Sequence, residues 1–256
     1  LKSKEIVCMV HDKKDQLWIG TWGEGLFIKD QNNNFKSFIH DPKNPNSLSG
    51  NFVMATNKDH HGNIWIATHR VGLDLYVPSE NKFYHFNHTS KTNSISSDKI
   101  STILEDQNEY IWLGTEGQGI DRIKLNDQKE IISFKNYRNS PENKLSLSND
   151  IVNNLYVDSK NRIWVATDGG GINILENNGK DDFQNFSKKD GLPSNVVYGI
   201  LEETSSIFWI STNTGLATIN LETNEIKSFD LADGLQAKEF NKTASFKTSD
   251  STFLFG

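Results

Sequence analysis

The sequence predicts an all-β fold, a β-propeller of four-stranded antiparallel blades, on three observations. A tryptophan-bearing pentapeptide recurs as Leu17-Trp18-Ile19-Gly20-Thr21, Ile64-Trp65-Ile66-Ala67-Thr68, Ile111-Trp112-Leu113-Gly114-Thr115, Ile163-Trp164-Val165-Ala166-Thr167 and Phe208-Trp209-Ile210-Ser211-Thr212. Successive tryptophans are 47, 47, 52 and 45 residues apart, a spacing of about 40–50 residues that suits one propeller blade. The apolar residues between them fall in short alternating runs, which suit strands and not a helical bundle.

Each repeat opens with a strand: Ile6 to Val10, Val53 to Asn57, Ile100 to Leu104, Val152 to Tyr156 and Val197 to Leu201. Its third residue is small or narrow (Cys8, Ala55, Thr102, Asn154, Gly199). Bulky side chains would collide where strands converge on an axis, so this strand is placed innermost. A polar hairpin turn marked by Asp12, Asp59, Asp106, Asp158 or Glu203 follows.

The tryptophan strand is the expected core. Each indole can bury roughly 150–250 Å², worth roughly 4–6 kcal/mol of gross hydrophobic stabilisation at about 25 cal/mol per Å². Two places on stands Gly20, Ala67, Gly114, Ala166 or Ser211, small enough for an adjacent sheet to approach. The threonine after it is a good strand residue whose hydroxyl can bond the coming turn. Gly25, Gly72, Gly119, Gly171 and Gly215 end that turn, as a backbone angle open to glycine requires. A third strand starts at Leu26, Leu73, Ile120, Ile172 and Leu216. A fourth, outer strand carries Phe35 with Phe38, Phe83 with Phe86, Phe134 with Tyr137, Phe183 with Phe186, and Phe229. Loops such as Pro45 to Ser49 and Thr92 to Ser96 lead to the next repeat. The repeats span residues 3–48, 49–95, 96–147, 148–192 and 193–236, with a partial sixth at 237–256 whose tryptophan slot holds Leu254. This gives one domain of five complete blades and part of a sixth. Such an array leaves an open edge unless sequence outside it completes the ring.

Composition narrows the function classes. A net charge of −6 with scattered Lys and Arg argues against a nucleic-acid binder. No apolar run approaches the roughly 18 residues a spanning helix needs. Cys8 is the single cysteine, so neither a disulfide framework nor a cysteine-based metal site forms within the chain. The chain starts at Leu1 without methionine and stops at Gly256 inside a strand pattern, as a piece of a longer protein would.

The block from Gly191-Leu192-Pro193-Ser194-Asn195-Val196-Val197 through Phe208-Trp209-Ile210-Ser211-Thr212 to Gly215-Leu216 resembles the two-component regulator propeller repeat, and the resemblance covers essentially the whole chain. It implies seven-bladed propellers, often in tandem, forming the periplasmic sensor half of hybrid two-component histidine kinases of gut Bacteroidetes that respond to glycans or oligosaccharides. The segment from Gly234-Leu235 through Phe240-Asn241 to Phe253-Leu254-Phe255-Gly256 resembles the last repeat of a second propeller, which in that family precedes an immunoglobulin-like module. The partners so implied are a glycan-derived small molecule and the other propeller and immunoglobulin-like domains of the parent chain. A homodimer is a further option, and nucleic acid and direct membrane contact are not expected.

Strand order places the loop entering the first strand and the loop leaving the tryptophan strand at one end of a blade. The turns there vary from repeat to repeat, as recognition on a rigid frame requires. Trp22 is the one tryptophan outside the repeat slot. With Glu24, His69, Arg70, Glu116, Gln118 and Asp168 it forms the candidate ligand set, the ring stacking on a sugar and the polar groups bonding hydroxyls. The commoner role of an exposed turn tryptophan is packing on a neighbouring blade, and charges on turns are mostly solvated. His60 and His61 are adjacent in a hairpin turn, where neighbours seldom both reach one ion, so no metal or other cofactor is expected. Asp168-Gly169-Gly170-Gly171 lies between strands and lacks the helix N-terminus of a phosphate loop. Glu105-Asp106 and Glu202-Glu203 are accounted for as turn residues at the opposite end, and no Ser-His-Asp arrangement is recognisable.

Three readings follow: a non-catalytic sensor module, a propeller lyase or hydrolase using His69 with Glu116 or Asp168, and a structural or dimerisation scaffold.

Overall fold

The computed structural model describes residues 5–91, 93–176 and 179–256; Thr92 of the second inter-repeat loop lies outside them. It is an all-β propeller fold in which every repeat forms its own antiparallel sheet, with strands in sequence order. The first sheet holds β1 (Ile6–His11), β2 (Leu17–Thr21), β3 (Leu26–Lys29) and β4 (Phe35–Phe38). The second holds β5 (Val53–Lys58), β6 (Ile64–Thr68), β7 (Gly72–Val77) and β8 (Lys82–Phe86). The third holds β9 (Ile100–Glu105), β10 (Ile111–Thr115), β11 (Ile120–Leu125) and β12 (Ile131–Tyr137). The fourth holds β13 (Val152–Val157), β14 (Ile163–Thr167), β15 (Ile172–Leu175) and β16 (Phe183–Phe186). The fifth holds β17 (Val197–Glu202), β18 (Ile207–Thr212), β19 (Gly215–Asn220) and β20 (Glu225–Phe229), and a last pair is β21 (Ser245–Lys247) with β22 (Phe253–Phe255). Two short 3-10 turns, Lys188–Asp190 and Leu231–Asp233, are the only helical segments among the described residues.

The chain divides into two compact units. One comprises Leu1–Glu116 with Asp121–Asn136, the other Gly117–Ile120 with Tyr137–Gly256. In the first, β1 lies against β5 and β5 against β9; in the second, β13 lies against β17 and β17 against β21. First strands thus pack on one another, the crowding that an innermost position imposes.

The two small positions of the repeat are cross-strand partners. Cys8 faces Gly20, Ala55 faces Ala67, Thr102 faces Gly114, Asn154 faces Ala166 and Gly199 faces Ser211. A register shift falls beside every one of these pairs, leaving Val7, Met54, Ser101, Asn153 or Tyr198 as the extra residue of a β-bulge, which bends the strand. A Cβ on Gly20 would lie 2.6 Å from Val53 Cγ1 of the next sheet, and one on Gly199 would lie 2.8 Å from Ser245 Cβ. Small size here is the clearance between adjacent blades.

Four of the five repeat tryptophans, Trp18, Trp65, Trp112 and Trp164, are no more than 2% exposed. Trp209 departs from the expectation of a buried core residue and is half-buried. The sheet beside it has two strands rather than four, and Phe253 covers its ring at 6.4 Å. Each of the first four inter-repeat loops also buries one aliphatic residue, Leu48, Ile95, Leu147 or Leu192, at 2% exposure or less, whereas Leu235 of the fifth is only partly buried.

The turn acid does more than shape a hairpin. The indole N–H of Trp18, Trp65, Trp112, Trp164 and Trp209 donates to the carboxylate six residues before it, Asp12, Asp59, Asp106, Asp158 and Glu203, at 3.0, 3.3, 2.8, 2.9 and 2.7 Å. The second oxygen of the aspartates accepts turn amides, as Asp106 does from Asn108 and Tyr110. In the fifth sheet Glu203 reaches only the indole, and Thr204 Oγ1 accepts the amides of Ser206 and Ile207 instead. In the last pair Leu254 has no side-chain N–H to satisfy, and Thr248 stands six residues before it. Its hydroxyl caps the turn by accepting the Thr252 amide at 2.9 Å. Next to this clasp lies a latch between sheets: Glu105 accepts the His60 amide at 2.7 Å, and Glu202 the Ser159 amide at 2.9 Å. The acidic pairs are thus divided between latch and clasp.

The threonine hydroxyls bond the carbonyl of the turn glycine, from Thr21 to Gly25 at 2.7 Å and from Thr167 to Gly171 at 2.9 Å. Gly25 has φ 79°, and a Cβ there would strike Phe38 O.

Asp158 is 2% exposed and also pairs with Arg162. Asp158→Ala leaves an indole N–H, two turn amides and a guanidinium without their carboxylate, and is expected to lower unfolding free energy by about 3 kcal/mol in urea denaturation. Asp30→Ala, in an exposed turn with the same amide pattern, is expected to shift the midpoint far less.

Candidate functional site

The loop leaving a tryptophan strand and the loop entering the next first strand meet at one end of the blades, bonded backbone to backbone. In the first unit Gly23 N and Gly25 N donate to Asn51 O at 3.1 and 2.9 Å, and Trp22 forms an isolated bridge with Phe52. The second unit repeats this: Gly169 N and Gly171 N donate to Asn195 O, and Asp168 bridges Val196. Variable side chains are therefore presented by a fixed hydrogen-bond frame.

On that frame Trp22, His69 and Phe52 come together. The Trp22 ring lies 5.1 Å from Phe52 at 73° and 5.3 Å from His69 at 58°, while the His69 amide donates to Phe52 O. Trp22 packs on the neighbouring blade, yet it remains 40% exposed and Phe52 45%. Phe52 went unrecognised in the sequence because it precedes the strand pattern; the signal was its place, one residue before Val53. Glu24 and Arg70 lie on the turns flanking this trio, Glu24 half-buried and Arg70 exposed with φ 59°. Glu116 is exposed at the corresponding turn of the third sheet, its amide bonded to Lys99 O, and Gln118 is half-buried. Asp168, in the second unit, has Lys242 Nζ at 3.7 Å. Burial chiefly, with Asp168 and Glu239 adding negative charge, raises the Tyr198 hydroxyl above its usual pKa. Lys242, Tyr198 and Glu239 are further residues that sequence spacing did not single out.

A cleft of about 550 Å³ lies at the opposite end of the first unit, lined by Lys13, Gln16, Lys36, His61, Tyr76 and Asn81 among others. At the same end His60 and His61 do approach one another, against the expectation for adjacent turn residues. Their ring centroids are 3.7 Å apart, because the turn folds both side chains toward the third sheet, where Glu105 holds His60.

Ser49, His85 and Asp74 also meet, a combination not recognisable from residue spacing. Ser49 Oγ and Asp74 Oδ1 both contact His85 Nδ1, at 2.9 and 2.7 Å, and His85 Nε2 faces Pro45 O at 2.9 Å. A nucleophile would need Nε2. The same bracket recurs without histidine, Ser96 N donating to Asp121 and Ser148 N to Asn173, so its role is to pin the inter-repeat loop.

The geometry defines a repeat-built propeller module with variable tips on a recurring frame. Residues 1–23, 47–70, 94–117 and 146–169 match the two-component regulator propeller family model. A histidine kinase P4 of Formosa agariphila is 29% identical, over 48% of this chain and 13% of its own length. An extracellular domain assigned to the hybrid two-component system BT3049 of B. thetaiotaomicron superposes with a TM-score of 0.83 at 24% identity, over 100% of this chain and 33% of that one. PorZ, a surface component of the type-IX secretion system of Porphyromonas gingivalis, gives 0.70 at 16%, over 99% and 38%. The chain thus spans a third or less of the kinase and of the BT3049 domain. No helix among the described residues is long and apolar enough to cross a membrane.

The hydrogen bond to Asp74 chiefly raises the His85 pKa above 6.5. A group whose folded pKa exceeds its unfolded value contributes fully below the unfolded value and loses that contribution as pH rises through the folded one. Between pH 6 and 8 the wild-type melting temperature should therefore fall more steeply than that of His85→Asn, measured by calorimetry at fixed ionic strength.

Proposed function

We propose that this chain is part of the periplasmic ligand-recognition half of a hybrid two-component histidine kinase, and that its ligand is a glycan-derived oligosaccharide. The observation that carries the reading is the exposed Trp22 and Phe52 surface at the blade tips, framed by side chains that differ from repeat to repeat. The C–H face of a pyranose stacks on an aromatic ring, burying apolar area while leaving its hydroxyls at the rim. Glu24, His69 and Arg70 supply rim donors and acceptors, and Glu116, Gln118 and Asp168 offer the same chemistry at the turns of the third and fourth sheets. The regulator-propeller repeats and the kinase relative support the signalling context. In that context the chain performs no chemistry. Bound sugar biases the parent protein between two arrangements to the extent that it prefers one of them. Adjoining propeller and immunoglobulin-like domains, or a second copy of the chain, carry the change to the kinase.

Calorimetry of the chain against a panel of purified oligosaccharides is expected to give saturable binding that Trp22→Ala weakens at least tenfold. Absence of heat across the panel would count against a sugar ligand. Affinity kept by Trp22→Ala but lost in Lys13→Ala with Lys36→Ala would move the site to the 550 Å³ cleft.

A further inference from the structure

The turn between β5 and β6 and the turn between β9 and β10 bring His60, His61 and Glu109 together, with one donor atom from each within 4.8 Å of the others. His60 is oriented from behind: Glu105 accepts its amide and contacts its Nδ1, both at 2.7 Å. In the neutral tautomer that gives Nδ1–H to that carboxylate, Nε2 carries the lone pair, and it faces Glu109 Oε1 at 3.3 Å. An imidazole held by a carboxylate at one nitrogen and free at the other is the arrangement that metal-ligating histidines adopt. A separation of about 3.3 Å is also the edge of a tetrahedron with bonds of about 2.0 Å, as at zinc.

Glu109 is distinctive within the repeat. It has φ 65°, and the corresponding turn positions hold Asp15, Gly62 and Asn161, all left-handed too. A long carboxylate stands where shorter or absent side chains suffice for the turn. The Glu–His latch alone does not require it, since Glu202 with Ser159 makes the same contact between sheets with Ser206 at the place corresponding to Glu109. Lys124 Nζ lies 3.7 Å from Glu109 and 3.1 Å from Asn108 O, so it can keep the carbonyl when Glu109 turns to a cation.

We propose that His60, His61 and Glu109 form a binding site for a divalent transition cation, zinc foremost, with a fourth position open to water and Glu105 orienting His60. Two imidazoles and one carboxylate favour zinc over magnesium or calcium, which take oxygen ligands. The ion joins the turns of the second and third blades, an attachment separate from the tip face.

The test is titration of the EDTA-stripped and dialysed chain with zinc chloride at pH 7.5, followed by calorimetry and by melting temperature, with magnesium chloride as control. One zinc per chain, a raised melting temperature and no magnesium heat are expected. His61→Ala and Glu109→Gln, both at exposed positions, should each weaken zinc binding at least tenfold and abolish the thermal shift. Lack of zinc binding by the wild type, or wild-type affinity in either variant, overturns the site.

Discussion

The hydrogen bond from a buried indole to a carboxylate six residues earlier holds each blade in register. A tryptophan supplies the largest apolar area of any side chain, but its N–H must find an acceptor once water is excluded. The turn acid answers that need and, in the aspartate turns, accepts hairpin amides with its other oxygen. One carboxylate therefore fixes the hairpin, aligns the first two strands and allows the indole to be buried. The departures within the chain obey the same logic: Glu203 divides the task with Thr204, and Leu254 coexists with Thr248.

Blade-to-blade packing follows a second constraint, of volume. The bulge at the second residue of each first strand, and the small pair beside it, set how near the next sheet comes. Dense packing makes such positions sensitive to single methyl groups. Size is shared across the pair, as glycine faces serine at Gly199 and Ser211, and threonine faces glycine at Thr102 and Gly114. The first four inter-repeat loops add a buried aliphatic anchor and, in the second, third and fourth blades, a side-chain bracket from the third strand.

These constraints occupy the sheets and the acidic-turn end, leaving the other end free to vary. Tip turns there are held by main-chain bonds to the entering loop, so their side chains carry no obligation to the frame. Trp22, Phe52 and Asp168 can differ from their counterparts without disturbing a blade. The acidic-turn end has its own variation, in which His60, His61 and Glu109 are grafted onto turns whose remaining residues serve the clasp and the latch.

By itself the sequence determined the strands, their order, the glycine-ended turns and the tryptophan core, because each rests on local spacing that recurs. It also marked the tip turns as variable and Trp22 as exceptional. Only the tertiary structure decided which residues meet across repeats: Phe52 beneath Trp22, Lys242 beside Asp168 and Glu105 on His60. Those partners lie 30 to 74 residues apart in the chain. Their encounter depends on how one sheet packs on the next, which no periodicity along a single strand records. Trp209 makes the same point, since its repeat motif predicts burial and the two-stranded sheet beside it leaves the ring half uncovered.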